Sequence, residues 1–164
     1  MNFLAIGAAA LIPMVVGFIY YHPKVVGTAW MKACGLDEEK LKGGNMPVIF
    51  GVSLLLSFMM ALFTQSIVIH QTHLNSLLAV QTDFKEAGSM SSELYNKIME
   101  LYGQNFRSFK HGVLHGVICS VFFVLPVLGT NAMFERKSFK YIMINFGYWA
   151  ITIALIGGVI CQFA

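Results

Sequence analysis

Four long stretches of the chain are apolar and free of Asp, Glu, Lys and Arg, and this pattern restricts the possible fold more than any other feature. They cover about residues 2–21, 47–70, 111–134 and 141–163. Each is near the roughly 20 residues that a helix needs to cross a bilayer, whereas a membrane β-barrel needs segments of alternating polarity. The sequence therefore predicts an all-α integral membrane protein with four transmembrane helices in a bundle.

The composition agrees with a membrane protein and excludes several other classes. Of 164 residues, 57% are hydrophobic and 12% are charged, whereas soluble domains are about half apolar and about a quarter charged. The three cysteines are too few and too scattered for a disulfide framework, and the net charge of +3 includes no long basic patch for nucleic acid. We predict one membrane domain over residues 1–164 that binds no nucleic acid.

The connections between the spans are predicted to contain short interfacial amphipathic helices. In the first connection, residues 24–34 mix apolar side chains with two lysines and include Trp30, a residue type that anchors helices at the interface. The extramembrane segment of about residues 71–110 is longer. There Ser91 suits a helix N-cap and apolar residues follow at helical spacing, namely Leu94, Ile98, Leu101 and Tyr102. We predict an amphipathic helix that rests on the bilayer or on the bundle.

Basic residues in the loops predict the orientation. The first and third loops together contain seven Lys and Arg residues, and the longer middle segment contains four. Short loops that are rich in Lys and Arg tend to stay in the cytoplasm, so we place both loops there. Both termini and residues 71–110 then lie outside the cytoplasm. The seven residues are Lys24, Lys32, Lys40, Lys42, Arg136, Lys137 and Lys140.

Small residues and prolines indicate how the spans pack. Gly112 and Gly116 form a GxxxG step, which permits close approach of two helices. We expect this step to serve packing within the chain, with self-association as the alternative, because four helices must pair in any case. Pro13 and Pro126 are expected to kink their spans, since proline removes a hydrogen bond from the helix interior.

Two segments carry a resemblance to a known family. They are GFIYYHPKVVGTAWMKACGL (Gly17–Leu36) and VLPVLGTNAMFERKSFKYIMINFGYW (Val124–Trp149). Together with the four-span layout, they resemble the bacterial membrane protein family catalogued as domain of unknown function 1761. The resemblance covers nearly the whole chain, and its most specific part is Tyr-His-Pro followed by Ala-Trp-Met. It implies a small multi-pass protein of the bacterial inner membrane, and it supplies no catalytic residues.

Two pairs of histidines are the main candidates for a functional site. His70 and His73 are three residues apart at the end of the second span. His111 and His115 are four apart at the start of the third span, so each pair is expected to share one helix face. Both pairs are expected at the same, outer membrane boundary. If the two spans are adjacent, His70 or His73 approaches His111 or His115 there.

Two interpretations of these histidines remain open. The first, which we prefer because two such pairs without Cys or HExxH are a weak motif, is that they anchor the helices at the interface by bonding to backbone, headgroups or water. The alternative is a zinc or copper site, because neutral imidazole is a common ligand of both metals. A metal site needs at least three ligands, and a carboxylate would have to join if only two histidines met. The candidate carboxylates are Asp83, Glu86, Glu93 and Glu100.

A second, smaller candidate group lies at the other end of the first span. Tyr21, His22 and Trp30 are typical of a ligand contact that combines aromatic rings with one polar tip. They are equally typical of an aromatic belt at the headgroups, which is the interpretation that we prefer. These three residues are the candidates for binding an organic cofactor, but the sequence does not predict that the protein binds one.

The sequence favours a non-enzymatic role. It contains no paired acid and nucleophile, no glycine-rich phosphate loop and no HExxH motif. We predict a binding, accessory or structural subunit whose partners are membrane lipids and a second copy or another membrane protein. The alternatives are a small transporter or channel that acts as an oligomer, and a membrane metal-binding protein that uses the outer histidines. Transport is disfavoured because no span carries an ionisable Asp, Glu, Lys or Arg.

Overall fold

The structure is a computed structural model that describes residues 2–164, with Glu38 described by its backbone alone. All regular structure in this range is helical, which confirms the predicted all-α class. The α-helices are α1 (Phe3–Tyr20), α2 (Thr28–Cys34), α3 (Glu38–Lys42), α4 (Met46–Val68), α5 (Gln71–Leu78), α6 (Met90–Tyr102), α7 (Phe109–Cys119), α8 (Leu125–Phe134) and α9 (Phe139–Phe163).

Within residues 2–164, four helices are long and apolar enough to cross a membrane. They are α1, α4, the continuous helix Phe109–Phe134 formed by α7 and α8, and α9. α1 stays one helix across Pro13, whereas a π-helical turn, Ser120–Val124, joins α7 to α8 directly before Pro126. Proline has no N–H and its ring excludes the carbonyl four residues back, so wider turns of this kind accommodate it.

The four spanning helices run alternately up and down, so the bundle has two distinct ends. At the first end, the Asn2 side-chain amide donates a hydrogen bond to the Phe163 carbonyl at 2.9 Å. We call it the histidine end, because α4 finishes and α7 begins there. At the opposite end, the tyrosine end, the Tyr20 hydroxyl donates to the Ile144 carbonyl at 3.0 Å.

α9 is the central helix of the bundle. Half of its apolar stretch is buried, compared with 28% or less in the other three spans. It packs most extensively on α7 and next on α1. Gly112 and Gly116 of α7 lie against the backbone of α9, near Gly157 and Ala154, where any Cβ would overlap α9 atoms. The GxxxG step therefore serves packing within the chain, which confirms the first of the two expectations for it.

The connections contain helices, as predicted, although their boundaries differ from the expected ones. The first connection forms a π-helical turn, Pro23–Gly27, followed by α2 and α3. The N-cap of α6 is Ser89 and not Ser91: the Ser89 hydroxyl accepts from the Ser92 N–H at 3.2 Å. Ser91 instead donates its N–H to Asp83 at 3.3 Å, and hydrogen bonding from the Ser91 side chain and backbone lowers the pKa of Asp83.

Candidate metal centre

Three histidine side chains meet at the histidine end. The Nε2 atoms of His70 and His111 are 2.9 Å apart, and the rings of His111 and His115 have centroids 4.5 Å apart. One ring nitrogen from each of His70, His111 and His115 lies within 4.8 Å of the other two. Zinc–nitrogen bonds of 2.0–2.1 Å in a tetrahedral site place ligand nitrogens about 3.3 Å apart. The separation of the His70 and His111 nitrogens is that of a hydrogen bond between two imidazoles, so an ion takes its place only when the rings move apart.

The first turns of α7 place two of these rings side by side. The Ser108 hydroxyl accepts a hydrogen bond from the His111 N–H at 3.3 Å and caps the helix. The Gln162 side chain of α9 accepts a hydrogen bond from the Phe109 N–H at 3.2 Å, which fixes the start of α7 against the central helix. Since residues four apart lie on one helix face, His111 and His115 point in the same direction.

The end of α4 supplies the third ring, and here the sequence prediction was wrong in detail. α4 ends at Val68, and the buried Ile69 has an extended backbone, with φ −108° and ψ 99°. His70 is the N-cap of α5, so His70 and His73 do not share a face of the second span. Because of this break, the His70 ring faces α7. In a continuous helix, His70 and His73 would instead have shared one face of α4.

His73 and the four predicted carboxylates are not part of the group. Among the described residues, the ligand cluster contains His70, His111 and His115 alone. His73 lies in the first turn of α5, where its carbonyl accepts a hydrogen bond from the Ser76 hydroxyl at 2.9 Å. The structure thus brings together three of the four predicted histidines. The four predicted carboxylates are those of Asp83, Glu86, Glu93 and Glu100. The Asp83 carboxylate instead accepts a hydrogen bond from the Ser91 N–H at the start of α6.

A buried cysteine connects the elements that carry the histidines. The sulfur of the fully buried Cys161 of α9 is 3.3 Å from the carbonyl oxygens of both Val68 and Phe106, which share its single S–H donor. Val68 is two residues before His70, and Cys161 also lies beside Gly112, next to His111. The contacts of Cys161 therefore fix the relative positions of the α4 end, the segment before α7 and α7 itself.

Phe106 covers one side of the cluster. Its ring centroid is 5.1 Å from that of His111 and 5.9 Å from that of His70. Its backbone has a φ of +62°, which is unusual for a bulky residue and is found most often where the surroundings impose it, as at binding sites. The ring thus contacts both imidazoles, while Phe106 itself remains largely exposed.

A cavity of about 360 Å³ adjoins the cluster. It lies between α5 and α6, and His70 and Phe106 are common to its wall and to the histidine group. Most of its other wall residues are apolar, with Leu74 from α5 and Ile98 from α6 among them. The Gln71 side-chain amide links α5 to the end of α6, because it donates hydrogen bonds to the carbonyls of Tyr102 at 3.2 Å and Asn105 at 3.0 Å.

The second predicted group is only partly assembled. Tyr21 and Trp30 are in contact, with ring centroids 5.1 Å apart, and the Tyr21 hydroxyl donates to the Asn145 side chain at 3.1 Å. His22 is exposed, and its Nδ1 accepts from the Lys24 N–H at 3.2 Å, which caps the turn that begins at Pro23. This arrangement interlocks α1, α2 and α9 at the tyrosine end.

Sequence reasoning missed three residues of the histidine end. Cys161 reads as one more apolar residue in a transmembrane stretch, and Phe106 and Gln71 lie in segments without periodic signal. Each acquires its role only through tertiary contacts with another element. The one sequence signal that could have indicated Cys161 is the GxxxG step of α7. This step lets α7 pack closely on α9, and the packing brings Cys161 beside Gly112.

The arrangement is suited to binding a transition metal. Three neutral imidazoles supply three nitrogen ligands to zinc or copper, and a tetrahedral zinc ion then keeps one position for another ligand. His70 is exposed, while His111 and His115 are half-buried, so the group is reached from the histidine end of the bundle.

Comparison with known proteins gives one match. The model of the family described as Protein of unknown function (DUF1761) matches residues 4–161, nearly the whole chain, which confirms the resemblance noted in the sequence. No curated protein and no solved structure matches the chain.

Proposed function

The chain belongs to the DUF1761 family, and we propose that it is a membrane protein that binds one zinc or copper ion through His70, His111 and His115. The observation that supports this is the convergence of three imidazoles from two separate elements. His70 and His111 are 41 residues apart in the chain, yet their Nε2 atoms are 2.9 Å apart. A hydrogen bond between two imidazoles accounts for that one pair, whereas a third ring, that of His115, beside the same pair is what favours a metal site.

The ligand set favours zinc or copper over harder cations. Magnesium and calcium prefer oxygen ligands, and the cluster within the described residues contains imidazole nitrogens only. Imidazole suits zinc and copper, and three histidines with one open position are a known zinc arrangement. The proposed role is binding of the ion, not catalysis.

We infer that the site lies outside the cytoplasm, in the inner membrane of a bacterium. This follows from the seven Lys and Arg residues in the loops near the tyrosine end, against four in the segment near the histidine end. Exposed apolar side chains around the four spans, such as Leu4, Phe18 and Phe122, suit contact with lipid. Membrane lipids are thus the immediate partners in this proposal.

Metal titration of the purified protein tests the proposed function. The protein should be purified in detergent through a tag without histidine, stripped with a chelator and titrated with Co²⁺, whose visible absorption reports tetrahedral coordination. We expect one ion per chain, displaced by Zn²⁺. Binding should weaken as the pH is lowered, because protons compete with the metal for the ligand nitrogens.

The chain offers a matched control for this titration. We expect His70→Ala, His111→Ala and His115→Ala each to weaken binding by more than about 10- to 100-fold, the loss that even outer partners of metal ligands cause. His73→Ala changes a neighbouring histidine outside the cluster and should bind like the unaltered protein. Circular dichroism checks that each variant keeps its helices. Equal affinity in all four variants, or loss in His73→Ala alone, would contradict the proposal.

A further inference from the structure

One helix outside the spans, α6, has an apolar face that the rest of the described chain leaves open. We propose that α6 lies on the lipid surface beside the bundle and immerses Met90, Leu94 and Leu101 among the acyl chains. The sequence allows this helix to rest on the bilayer or on the bundle, and its contacts favour the bilayer. The immersion of α6 is independent of the metal site, since none of the three residues belongs to that site.

The exposed apolar side chains of α6 form one stripe along the helix. At about 100° per residue, Met90, Leu94 and Leu101 lie within about 40° of one another around the helix axis. Their exposed fractions are 83%, 50% and 55%. Ile98 and Tyr102, which share helical spacing with them in the sequence, instead line the groove toward α5. Packing on α5 therefore leaves the stripe uncovered.

The bundle does not cover the stripe either. Within residues 2–164, α6 packs on α5 and has no extensive contact with a spanning helix. Lys97 borders the stripe, but its ammonium lies 3.5 Å from the Glu100 carboxylate on the polar side of α6. The charge is thus directed away from the apolar residues, as in helices that lie in the plane of a membrane interface.

The C-terminal end of α6 is fixed at the level where the spans begin and end. The Gln71 amide, three residues after the end of α4, donates to the carbonyls of Tyr102 and Asn105. The Phe106 carbonyl is 3.3 Å from the sulfur of Cys161, near the end of α9. Phe106 is itself exposed, and α7 begins three residues later. Exposed apolar residues thus continue from α6 to the third span, so the stripe borders the surface that the spans present to lipid.

The charges of the extramembrane segment indicate which lipids α6 requires. Residues 71–110 contain four basic and four acidic side chains, so their formal charges cancel. A segment without net charge gains little from the attraction of basic residues to anionic headgroups. Burial of the apolar stripe is therefore what holds α6, and phosphatidylcholine alone should be sufficient.

Spin labels on single cysteines measure the immersion of α6. Cysteine is introduced at Leu94, Leu101 or Asn96 after Cys34 and Cys119 are replaced by serine, and the labelled protein is reconstituted in phosphatidylcholine. Asn96 is the matched control, because it is exposed and lies about 140° from the stripe. We expect the Leu94→Cys and Leu101→Cys labels to collide more with oxygen, which concentrates in lipid, than with water-soluble chromium oxalate. The Asn96→Cys label should show the reverse.

A charge placed in the stripe provides a second test. We expect Leu101→Glu to expose the Leu94→Cys label to chromium oxalate, whereas Asn96→Glu should not, and circular dichroism checks that both variants keep their helices. If the Leu94→Cys and Leu101→Cys labels meet chromium oxalate as often as the Asn96→Cys label does, α6 lies in water and the inference is wrong. It is also wrong if both labels are shielded from both reagents, because protein then covers the stripe. Immersion that requires phosphatidylglycerol would contradict the role of the apolar stripe.

Discussion

Two glycines determine how closely the helices of the histidine end approach. A Cβ on Gly116 would lie 2.6 Å from the Cα of Ala154, and one on Gly112 would overlap the backbone of Gly157. Backbone atoms cannot rotate aside as a side chain can, so relief requires the two helices to separate. Because His111 directly precedes Gly112, such a separation also moves one of the three proposed ligands.

We predict that Gly112→Ala and Gly116→Ala each lower the free energy of unfolding by about 1–3 kcal/mol, the usual cost of overpacking. Titration with a denaturing detergent, followed by circular dichroism, measures this. Gly129→Ala is the control, because no atom lies within 4 Å of a Cβ at that position. It should be neutral or slightly stabilising, since alanine favours helix over glycine. Equal stability of Gly112→Ala and Gly129→Ala would refute the close-packing argument.

Among the helices, the sequence was sufficient to predict the membrane spans but not the residues at which the helices begin and end. The apolar stretches predict α1, α4, α7–α8 and α9 because a bilayer requires a long uncharged helix for each crossing. The break at Ile69 was not predictable, since an apolar residue in extended conformation carries no local signal. The same holds for the Ser89 cap, because Ser89 and Ser91 are equally good N-cap residue types.

The candidate site shows the same division between local and tertiary information. His111 and His115 could be paired from their spacing alone, because both lie on one helix. His70 and His73 could not, since the chain turns between α4 and α5. The cavity depends on how α5 docks on α6, which no periodicity in either helix records. Gln71 likewise acquires its role only through two distant residues, since its side-chain amide donates to the carbonyls of Tyr102 and Asn105.

At the scale of the whole molecule, the orientation in the membrane is testable by labelling. Cysteine is introduced singly at Lys40, Lys137 or Ser91 after Cys34 and Cys119 are replaced by serine, while the fully buried Cys161 is kept. We expect a membrane-impermeant maleimide to label Ser91→Cys in intact cells. Lys40→Cys and Lys137→Cys should react only after permeabilisation, because the excess of Lys and Arg predicts that their loops face the cytoplasm.

Permeabilised cells supply the control for this labelling, since all three variants should react there. Labelling of Lys40→Cys but not of Ser91→Cys in intact cells would invert the orientation. The histidines and the adjoining cavity would then face the cytoplasm, because both lie at the same end of the bundle as α6.

X-ray absorption at the zinc edge shows whether the three imidazoles bind one ion. On protein loaded with one equivalent of Zn²⁺, the account predicts three imidazole nitrogens at 2.0–2.1 Å and one further light-atom ligand. The imidazole signal should persist in His73→Ala and fall in His115→Ala. A zinc ion surrounded mainly by water oxygens, or a spectrum that is the same in His115→Ala and the unaltered protein, would contradict the account.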